Sequence, residues 1–530
     1  MTSTILTKKN AMKDISKNTI NYMTTKENKV FTIVSLLSIF YLFMFLKKES
    51  DMLHVVMYAL LLVFIYAYSL KLKLQKTASV IYMLLISFSL IEFMTKRMTG
   101  FYFHEIPYEI ISILYDTNID EIQSGMHLSR NEIIAISLII INLLFLVKIK
   151  KPTTKRKIHI LILPAVVLVF LSTTLNPVSV AASTIYKNKL AIEKAIEKID
   201  IRKSFTWGAK SEENDNQTVV IFLGETHRGD YMSINGYHKK TTPLLEGKGV
   251  ISFDNAISQA AYTLSSTPMI LTRKNVKDYG IFPEKSIISA FKEAGFETWY
   301  VSYLPPAVIG DNELNIIANE ADHYIQSDVN NDTLSKILSN KSNKKLIVYK
   351  TVGSHFLYHT RYPDEYDVFK PSFTKDTYST PSVEDIELLK NSYENSILYS
   401  VDKKVSDFID ILKNEGGLVS LSFISDHGTS IFDDGKSLYG GNTSGNYSIG
   451  LFFWFNDKYK SKYHNDIITL EKNKNKKITS EYFVDTIFNI GKIKTQKIKG
   501  KSLFENNLSE GDRFIVNKEI FNYDKEILKK

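Results

Sequence analysis

Cysteine is absent from all 530 residues of the chain. Its absence excludes disulfide bonds, zinc sites built from thiolates and a cysteine nucleophile. Any metal ion must therefore be held by oxygen atoms and imidazole nitrogens. The polar part of the chain also lacks a basic stripe with interleaved aromatic residues, although the formal net charge is +9. We therefore expect no nucleic acid partner.

Long hydrophobic runs are missing after about residue 187, where the sequence has the composition of an ordinary soluble α/β protein. The first third, in contrast, contains five runs that we interpret as membrane-spanning helices, for which about 17–25 apolar residues are needed. A secretory signal peptide has one short apolar region, so this series predicts helices that stay in the mature protein. The runs are residues 30–46, 52–68, 78–94, 133–147 and 158–181, of which the fourth is the shortest.

Basic residues beside these runs predict their orientation. Lys71, Lys73 and Lys76 lie between the second and third runs, and six Lys or Arg residues lie between the fourth and fifth. The positive-inside rule places both loops in the cytoplasm, and an odd number of spans then delivers the rest of the chain to the opposite side. Apolar residues at helical spacing over 183–201 predict an amphipathic bridging helix. The expected units are a transmembrane domain over 1–182, a bridge and linker over 183–217 and a catalytic domain over 218–530.

The polar part alternates between β-rich runs and helical patterns such as 285–294 and 383–412. This alternation predicts a mostly parallel sheet with helices on both faces, an α/β/α sandwich. Its strands are predicted over residues 218–223, 298–302, 346–350 and 418–424.

Polar side chains follow three of these strands where each strand ends. Glu225 follows the strand at 218–223, His355 the strand at 346–350, and the pair Asp426-His427 the last strand. Because ligands bind at the carboxyl ends of parallel strands, we expect these side chains to share one edge of the sheet. Two carboxylates and an imidazole are a ligand set for Zn²⁺ or Mn²⁺. Taken one at a time, they are also explained as a helix first-turn acid, a strand-end histidine and a capping pair.

Several longer motifs surround these residues. The segment FLGETHRGD at 222–230 continues through SINGY at 233–237 to TTP at 241–243. Further along the chain come GSH at 353–355, RYP at 361–363, YENSILY at 393–399 and SDHG at 425–428. In content and order these motifs resemble those of the phosphoethanolamine transferases, a family within the alkaline phosphatase and sulfatase superfamily. Five spans before a periplasmic catalytic domain are also that family's layout.

The resemblance implies roles for particular residues. Those implied to hold a catalytic Zn²⁺, with Mn²⁺ as the alternative, are Glu225, Thr263, Asp426 and His427. Thr263, in the segment AAYTLSSTPM at 260–269, is also the implied nucleophile. Taken alone, Thr263 is equally a helix N-cap, and Ser265, Ser266 and Thr267 are hydroxyls close to it in sequence. His355 is placed to hydrogen-bond the phosphoryl group or to protonate the leaving group.

For the whole chain, the resemblance implies a multi-pass protein of the cell inner membrane with its catalytic domain in the periplasm. Attack by the threonine on phosphatidylethanolamine would leave diacylglycerol and a phospho-threonine intermediate. A hydroxyl of a lipopolysaccharide sugar, in the core oligosaccharide or in lipid A, would then accept the phosphoethanolamine group. The expected partners are thus the membrane, the lipid donor and the lipopolysaccharide glycan, and we expect a monomer.

Other functions remain open at this point. The chain lacks the periplasmic cysteines of members that modify lipid A, and the run GGNTSGNY at 440–447 stands where those members place a second histidine. A phosphoglycerol transferase on the same scaffold is the nearest alternative. A sulfatase-like hydrolase is disfavoured, because no C/S-x-P-x-R segment surrounds Thr263. A non-catalytic membrane sensor or assembly protein is a further alternative, against which the presence of Glu225, Asp426 and His427 argues.

Overall fold

The computed structural model describes residues 201–530 apart from short gaps. The five predicted spans, and the predicted bridging helix except for its last residue, lie outside the described residues and stay predictions. Within the described part, no helix is both long enough and apolar enough to cross a membrane. The gaps are residues 279–280, 304–312, 376, 378–380, 440–441, 497–499, 518 and 529–530.

A mixed sheet of seven strands runs through the described part of the chain. The described strands are β1 (Lys210–Ser211), β2 (Gln217–Gly224), β3 (Ile251–Ser252), β4 (Ala256–Ile257), β5 (Glu297–Ser302), β6 (His323–Gln326), β7 (Lys344–Lys350), β8 (Leu418–Ser425), β9 (Ser430–Ile431), β10 (Leu438–Tyr439), β11 (Leu451–Phe455), β12 (Ile478–Thr479), β13 (Ile493–Lys494), β14 (Phe514–Asn517) and β15 (Glu519–Asn522). The spatial order in the large sheet is β3-β11-β8-β2-β7-β5-β6. The five strands from β8 to β6 are parallel, and β11 is antiparallel to both β8 and β3.

Helices cover both faces of this sheet. They are α1 (Pro243–Glu246), α2 (Thr263–Leu271), α3 (Ile287–Glu293), α4 (Glu313–Ala318), α5 (Asn331–Leu338), α6 (Ile386–Ile397), α7 (Lys404–Leu412), α8 (Asp457–Lys462), α9 (His464–Asn473) and α10 (Phe483–Gly491). Side chains of α2, α3 and α10 pack in one hydrophobic core, and those of α5, α6 and α7 pack in a second core. The described part is therefore a three-layered α/β domain.

The side-chain alternation of β2 explains why both faces are covered. Ile221 and Leu223 belong to one core, whereas Val220 and Phe222 belong to the other. Successive side chains of a strand point to opposite faces, so a continuous apolar run has to be covered twice. Every residue of β2 is buried as a result.

The structure confirms the four predicted strands to within two residues at each end, confirms a mostly parallel sheet, and adds two features that were not predicted. The sheet is mixed because β11 is antiparallel, and the described residues between β8 and β11 form no α-helix that could return the chain for a parallel strand. The helical segment predicted over 383–412 is present as α6 and α7, and a π-helical segment, Leu398–Lys403, lies between them. This segment directs Ser400 and Asp402 to buried partners, Ser400 to the His227 ring and Asp402 to the start of α1.

Candidate metal centre

The loop after β2 presents Glu225 at the carboxyl edge of the sheet. Thr226, the next residue, has a left-handed backbone with φ of 64°, which turns the chain sharply away from the strand. The Thr226 side chain donates a hydrogen bond to Oε1 of Glu225 at 2.9 Å, and its backbone N–H donates to Oδ1 of Asp426 at 3.0 Å. The Glu225 carboxylate is thus held by its own loop and is 2% exposed.

Asp426 and His427 follow β8 directly and join the same edge. Gly224 and Ser425 are paired neighbours in the parallel ladder, so the residues that follow them emerge side by side. Oδ1 of Asp426 accepts backbone N–H groups from Thr226 and His427, at 3.0 and 2.8 Å. The Asp426 side chain therefore ties two loops together and does not cap a helix.

The orientation of the His427 ring is fixed by its own loop. Nδ1 lies 2.6 Å from the carbonyl oxygen of Gly428, which can only accept a hydrogen bond, so Nδ1 carries the proton. This leaves the lone pair of Nε2 directed at the carboxylates. An imidazole that donates through one nitrogen and offers the other is the usual arrangement of a metal-binding histidine.

Thr263 reaches this cluster from another part of the chain. It is the first residue of α2, whose N-cap is Tyr262, so the N-cap reading of Thr263 is wrong. Its Oγ1 lies 3.2 Å from both carboxylate oxygens of Glu225 and 3.2 Å from Nε2 of His427. The four residues implied to be zinc ligands are therefore in one place.

The spacing of the donor atoms matches a four-coordinate ion. With bonds of about 2.0–2.1 Å, the ligands of a tetrahedral zinc ion lie about 3.3–3.4 Å apart. Nε2 of His427 lies 3.4 Å from Oε1 of Glu225 and 3.7 Å from Oδ2 of Asp426, and Oγ1 of Thr263 lies 3.2 Å from two of these atoms. The two acids and the histidine also form the one group of three metal-binding side chains found among the described residues. The donor set thus fits Zn²⁺ or Mn²⁺.

Lys350, the last residue of β7, is a member of the cluster that the sequence analysis missed. Its ammonium group lies 2.5 Å from Oε2 of Glu225 and 3.1 Å from Oδ2 of Asp426. The side chain is 2% exposed. Two buried carboxylates are therefore partly neutralised by a buried cation.

These charges control the protonation of the cluster. Burial on its own would raise the pKa of Glu225, but Lys350 and His427 outweigh it and hold that pKa well below its usual range. Burial would lower the pKa of His427, yet the carboxylates of Asp426 and Glu225 raise it to about 9. The two acids thus favour a cation at Nε2 of His427, either a proton or a metal ion.

His355 and His227 lie beside the cluster in different ways. The loop that carries His355 is joined to β2, since the N–H of Ser354 donates to the carbonyl oxygen of Glu225 at 2.9 Å. His355 contributes to lowering the pKa of Glu225, after Lys350 and His427. His227 is fully buried, with Nε2 2.8 Å from Oγ of Ser400, and burial lowers its pKa to about 3. Its neutral ring fills the space between the ends of the strands.

Comparison with known proteins gives the family. The family model described as sulfatase matches residues 217–493, more than half of the chain. The chain belongs to the sulfatase family. The seven-stranded sheet and the strand-edge cluster described above lie within the matched residues.

Related proteins narrow this assignment. Phosphoethanolamine transferase EptC of Escherichia coli (strain K12) is 26% identical over 278 residues, which cover 48% of this chain and 47% of that protein. The chain thus spans about half the length of the curated relatives it matches. The crystal structure of the C-terminal periplasmic domain of E. coli EptC in complex with Zn has a TM-score of 0.52 at 23% identity, covering 60% of this chain and 95% of that one.

A second solved structure aligns over more of the chain. The integral membrane protein lipooligosaccharide phosphoethanolamine transferase A (EptA) of Neisseria meningitidis has a TM-score of 0.59 at 18% identity and covers 88% of this chain and 96% of that one. These comparisons confirm the resemblance to phosphoethanolamine transferases of the EptA and EptC type and the alkaline phosphatase/sulfatase-like fold.

Proposed function

We propose that this chain is a membrane-bound phosphoethanolamine transferase that uses Thr263 as its nucleophile. The observation that carries the proposal is the position of Oγ1 of Thr263, 3.2 Å from Glu225 and 3.2 Å from His427. A threonine hydroxyl is not ionised at neutral pH and becomes a nucleophile only beside a base or a metal ion. The relatives named above support phosphoethanolamine as the group transferred.

The proposed metal ion is Zn²⁺, with Mn²⁺ as the alternative, and its proposed ligands are Glu225, Thr263, Asp426 and His427. When bound, zinc lowers the pKa of a coordinated hydroxyl and withdraws negative charge from a phosphoryl oxygen. The zinc complex of the EptC domain supports this choice. Within the chain itself, it is supported by the distances of 3.2 to 3.7 Å among the donor atoms.

The proposed reaction is a double displacement at phosphorus. Oγ1 of Thr263 forms a bond to the phosphorus of phosphatidylethanolamine while the bond from phosphorus to the glycerol oxygen breaks. The proton of the Thr263 hydroxyl moves to the Glu225 carboxylate, which already accepts a hydrogen bond from that hydroxyl in the structure. His355 delivers a proton to the leaving oxygen, which gives diacylglycerol. The acceptor hydroxyl then gives its proton to His355 and displaces Thr263 from phosphorus, and Thr263 takes back its proton from Glu225.

The acceptor in this proposal is a sugar of lipopolysaccharide, in the core oligosaccharide or in lipid A. The name of the Neisseria protein, a lipooligosaccharide phosphoethanolamine transferase, supports that class of acceptor. The same protein is an integral membrane protein by name, which supports a transmembrane domain over 1–182, a bridge over 183–217 and a periplasmic catalytic domain over 218–530. We expect the chain to act as a monomer in the inner membrane, where its lipid donor is found.

Intact-mass spectrometry of the full chain in detergent, incubated with zinc and phosphatidylethanolamine, tests the nucleophile. We expect a phosphoethanolamine adduct on the wild type and none on Thr263→Ala. Ser265→Ala is the matched control, because Ser265 is the nearest other hydroxyl on α2, and it should keep the adduct.

Each other outcome of this measurement has a definite meaning. An adduct that persists in Thr263→Ala would move the nucleophile to a neighbouring hydroxyl. An adduct formed only from phosphatidylglycerol would establish the phosphoglycerol transferase alternative. No adduct from either lipid would leave a non-catalytic role.

A further inference from the structure

Lys350 occupies an unusual position for a lysine. It is the last residue of the interior strand β7, it is 2% exposed, and its ammonium group donates hydrogen bonds to one oxygen of Glu225 and one of Asp426. A charged lysine is rarely buried unless it is paired, because removing the ammonium group from water is strongly unfavourable. Here the two carboxylates compensate that cost.

The carboxylate oxygens are divided between two cation positions. Oε1 of Glu225 lies 3.2 Å from Thr263 and 3.4 Å from His427. Oε2 is also 3.2 Å from Thr263, but it is the oxygen that accepts the ammonium group, at 2.5 Å. Oδ1 of Asp426 is taken by two backbone N–H groups, so Oδ2 faces both His427, at 3.7 Å, and Lys350, at 3.1 Å. One position lies among the four donor atoms, and the ammonium group fills the other.

We infer that Lys350 is the second cation of this site: its ammonium group takes the place that a second divalent ion bridging Glu225 and Asp426 would need, so that the site holds one ion. The inference rests on the metal centre of the proposed function. Two carboxylates, one ammonium group and one divalent ion give the site a total charge of +1. A phosphodiester carries one negative charge, so the substrate would neutralise the site. Lys350 thus acts through the metal ligands, as a positioning residue.

The remaining described residues agree with a single ion. The described part contains one group of three metal-binding side chains, and this is the group that Lys350 contacts. The segment 440–447, where the resemblance would place a second histidine, contains only Gly, Asn, Thr, Ser and Tyr. A second ion would therefore depend on the same two carboxylates.

Zinc binding by the full-length protein in detergent tests the inference. The bound zinc is counted by elemental mass spectrometry after removal of excess metal, and the affinity is measured by competition with a chelating dye. We expect one zinc per wild-type chain. Lys350→Met should bind zinc at least tenfold more tightly, because a positive charge next to the ion has been removed.

Two variants serve as controls. Lys345→Met removes another buried lysine from the same strand, one that is 5% exposed and donates to the carbonyl oxygen of Ser342, and should leave zinc affinity unchanged. Lys350→Arg keeps the positive charge and should restore an affinity near that of the wild type. A folded Lys350→Met protein with unchanged or weaker affinity would overturn the inference, and so would two zinc ions in the wild type.

The stability of the variant gives a second readout. Without metal, the two buried carboxylates of Lys350→Met have lost their cation, so this variant should unfold at a lower urea concentration than the wild type. Added zinc should remove this difference in stability. A Lys350→Met protein that folds only in the presence of zinc would support the inference. A Lys350→Met protein whose stability zinc does not restore would show that the inference is wrong. A wild type that binds no zinc would instead overturn the proposed metal centre, so the two failures are distinguishable.

Discussion

Replacing Tyr393 by phenylalanine tests how the loop that carries Glu225 is held in place. The hydroxyl group of Tyr393 donates to the carbonyl oxygen of Thr226 at 2.7 Å and accepts the backbone N–H of Arg228 at 2.8 Å. Its side chain is fully buried on α6. One oxygen atom therefore satisfies two backbone groups on either side of His227, in a loop whose residue Thr226 has a positive φ.

The expected cost follows from these two hydrogen bonds. A buried polar group left without a partner costs about 1–3 kcal/mol, and Tyr393→Phe leaves two such groups, so we expect a loss of about 2–6 kcal/mol in the free energy of unfolding. Tyr358→Phe is the matched control. Tyr358 is equally buried and packs against Tyr393, but within the described part of the chain its hydroxyl contacts only the side chain of Thr429, at 3.2 Å. Its loss should cost about 0.5–1.5 kcal/mol.

Tryptophan fluorescence during urea unfolding of the full chain in detergent measures both costs. All three tryptophans of the chain, Trp207, Trp299 and Trp454, are buried in the described domain, so the signal reports on this domain alone. Zinc affinity should also fall in Tyr393→Phe, because the displaced loop carries Glu225. Equal losses of stability in the two variants would refute the reasoning, since they would show that the two backbone contacts add nothing.

Two further perturbations test the surroundings of the site. Gly353→Ala should destabilise the domain by more than about 2 kcal/mol and weaken zinc binding, because φ is +47° and a Cβ would lie 2.7 Å from the carbonyl oxygen of Glu225. Gly416→Ala is the control, since there is open space around Gly416, and it should have little effect in the same urea titration. Burial raises the pKa of Asp402 to about 6, although the N–H groups of α1 act against it. The carboxyl group of Asp402 therefore binds its proton more tightly in the folded state than in the unfolded state. The protonated group stabilises the fold fully below about pH 4, and this contribution is lost as the pH rises through about 6. Urea unfolding measured between pH 4 and about pH 6 should show the wild type losing stability relative to Asp402→Asn as the pH rises. An identical pH dependence in the two proteins would contradict a raised pKa for Asp402.

The sequence predicted the sheet and the edge at which the cluster lies, because both follow from local patterns. The four strands are short β-rich runs, and acids or histidines follow three of them within five residues. Thr263 has no such pattern. It reaches the cluster from the start of α2, and only the resemblance to a family singled it out among neighbouring hydroxyls.

Two features that the sequence did not predict depend on contacts between distant segments. Nothing in the helical pattern over 383–412 marks the π-helical segment, which forms where Ser400 meets His227 and Asp402 meets α1. Likewise, the antiparallel direction of β11 depends on how the chain returns from β8. Tertiary contacts decide both features, and a single sequence does not contain them in readable form.

Lys350 is different, because the sequence did contain a signal for it. Leu346, Val348 and Lys350 alternate along β7 and share one face of the sheet, and the first two are core residues. A lysine that continues an apolar row breaks the period-two pattern of a buried strand. Since a buried ammonium group has to be paired, such a break predicts acidic partners beyond the end of the strand. Glu225 and Asp426 are those partners, so the break in the row marks the site independently of any family motif.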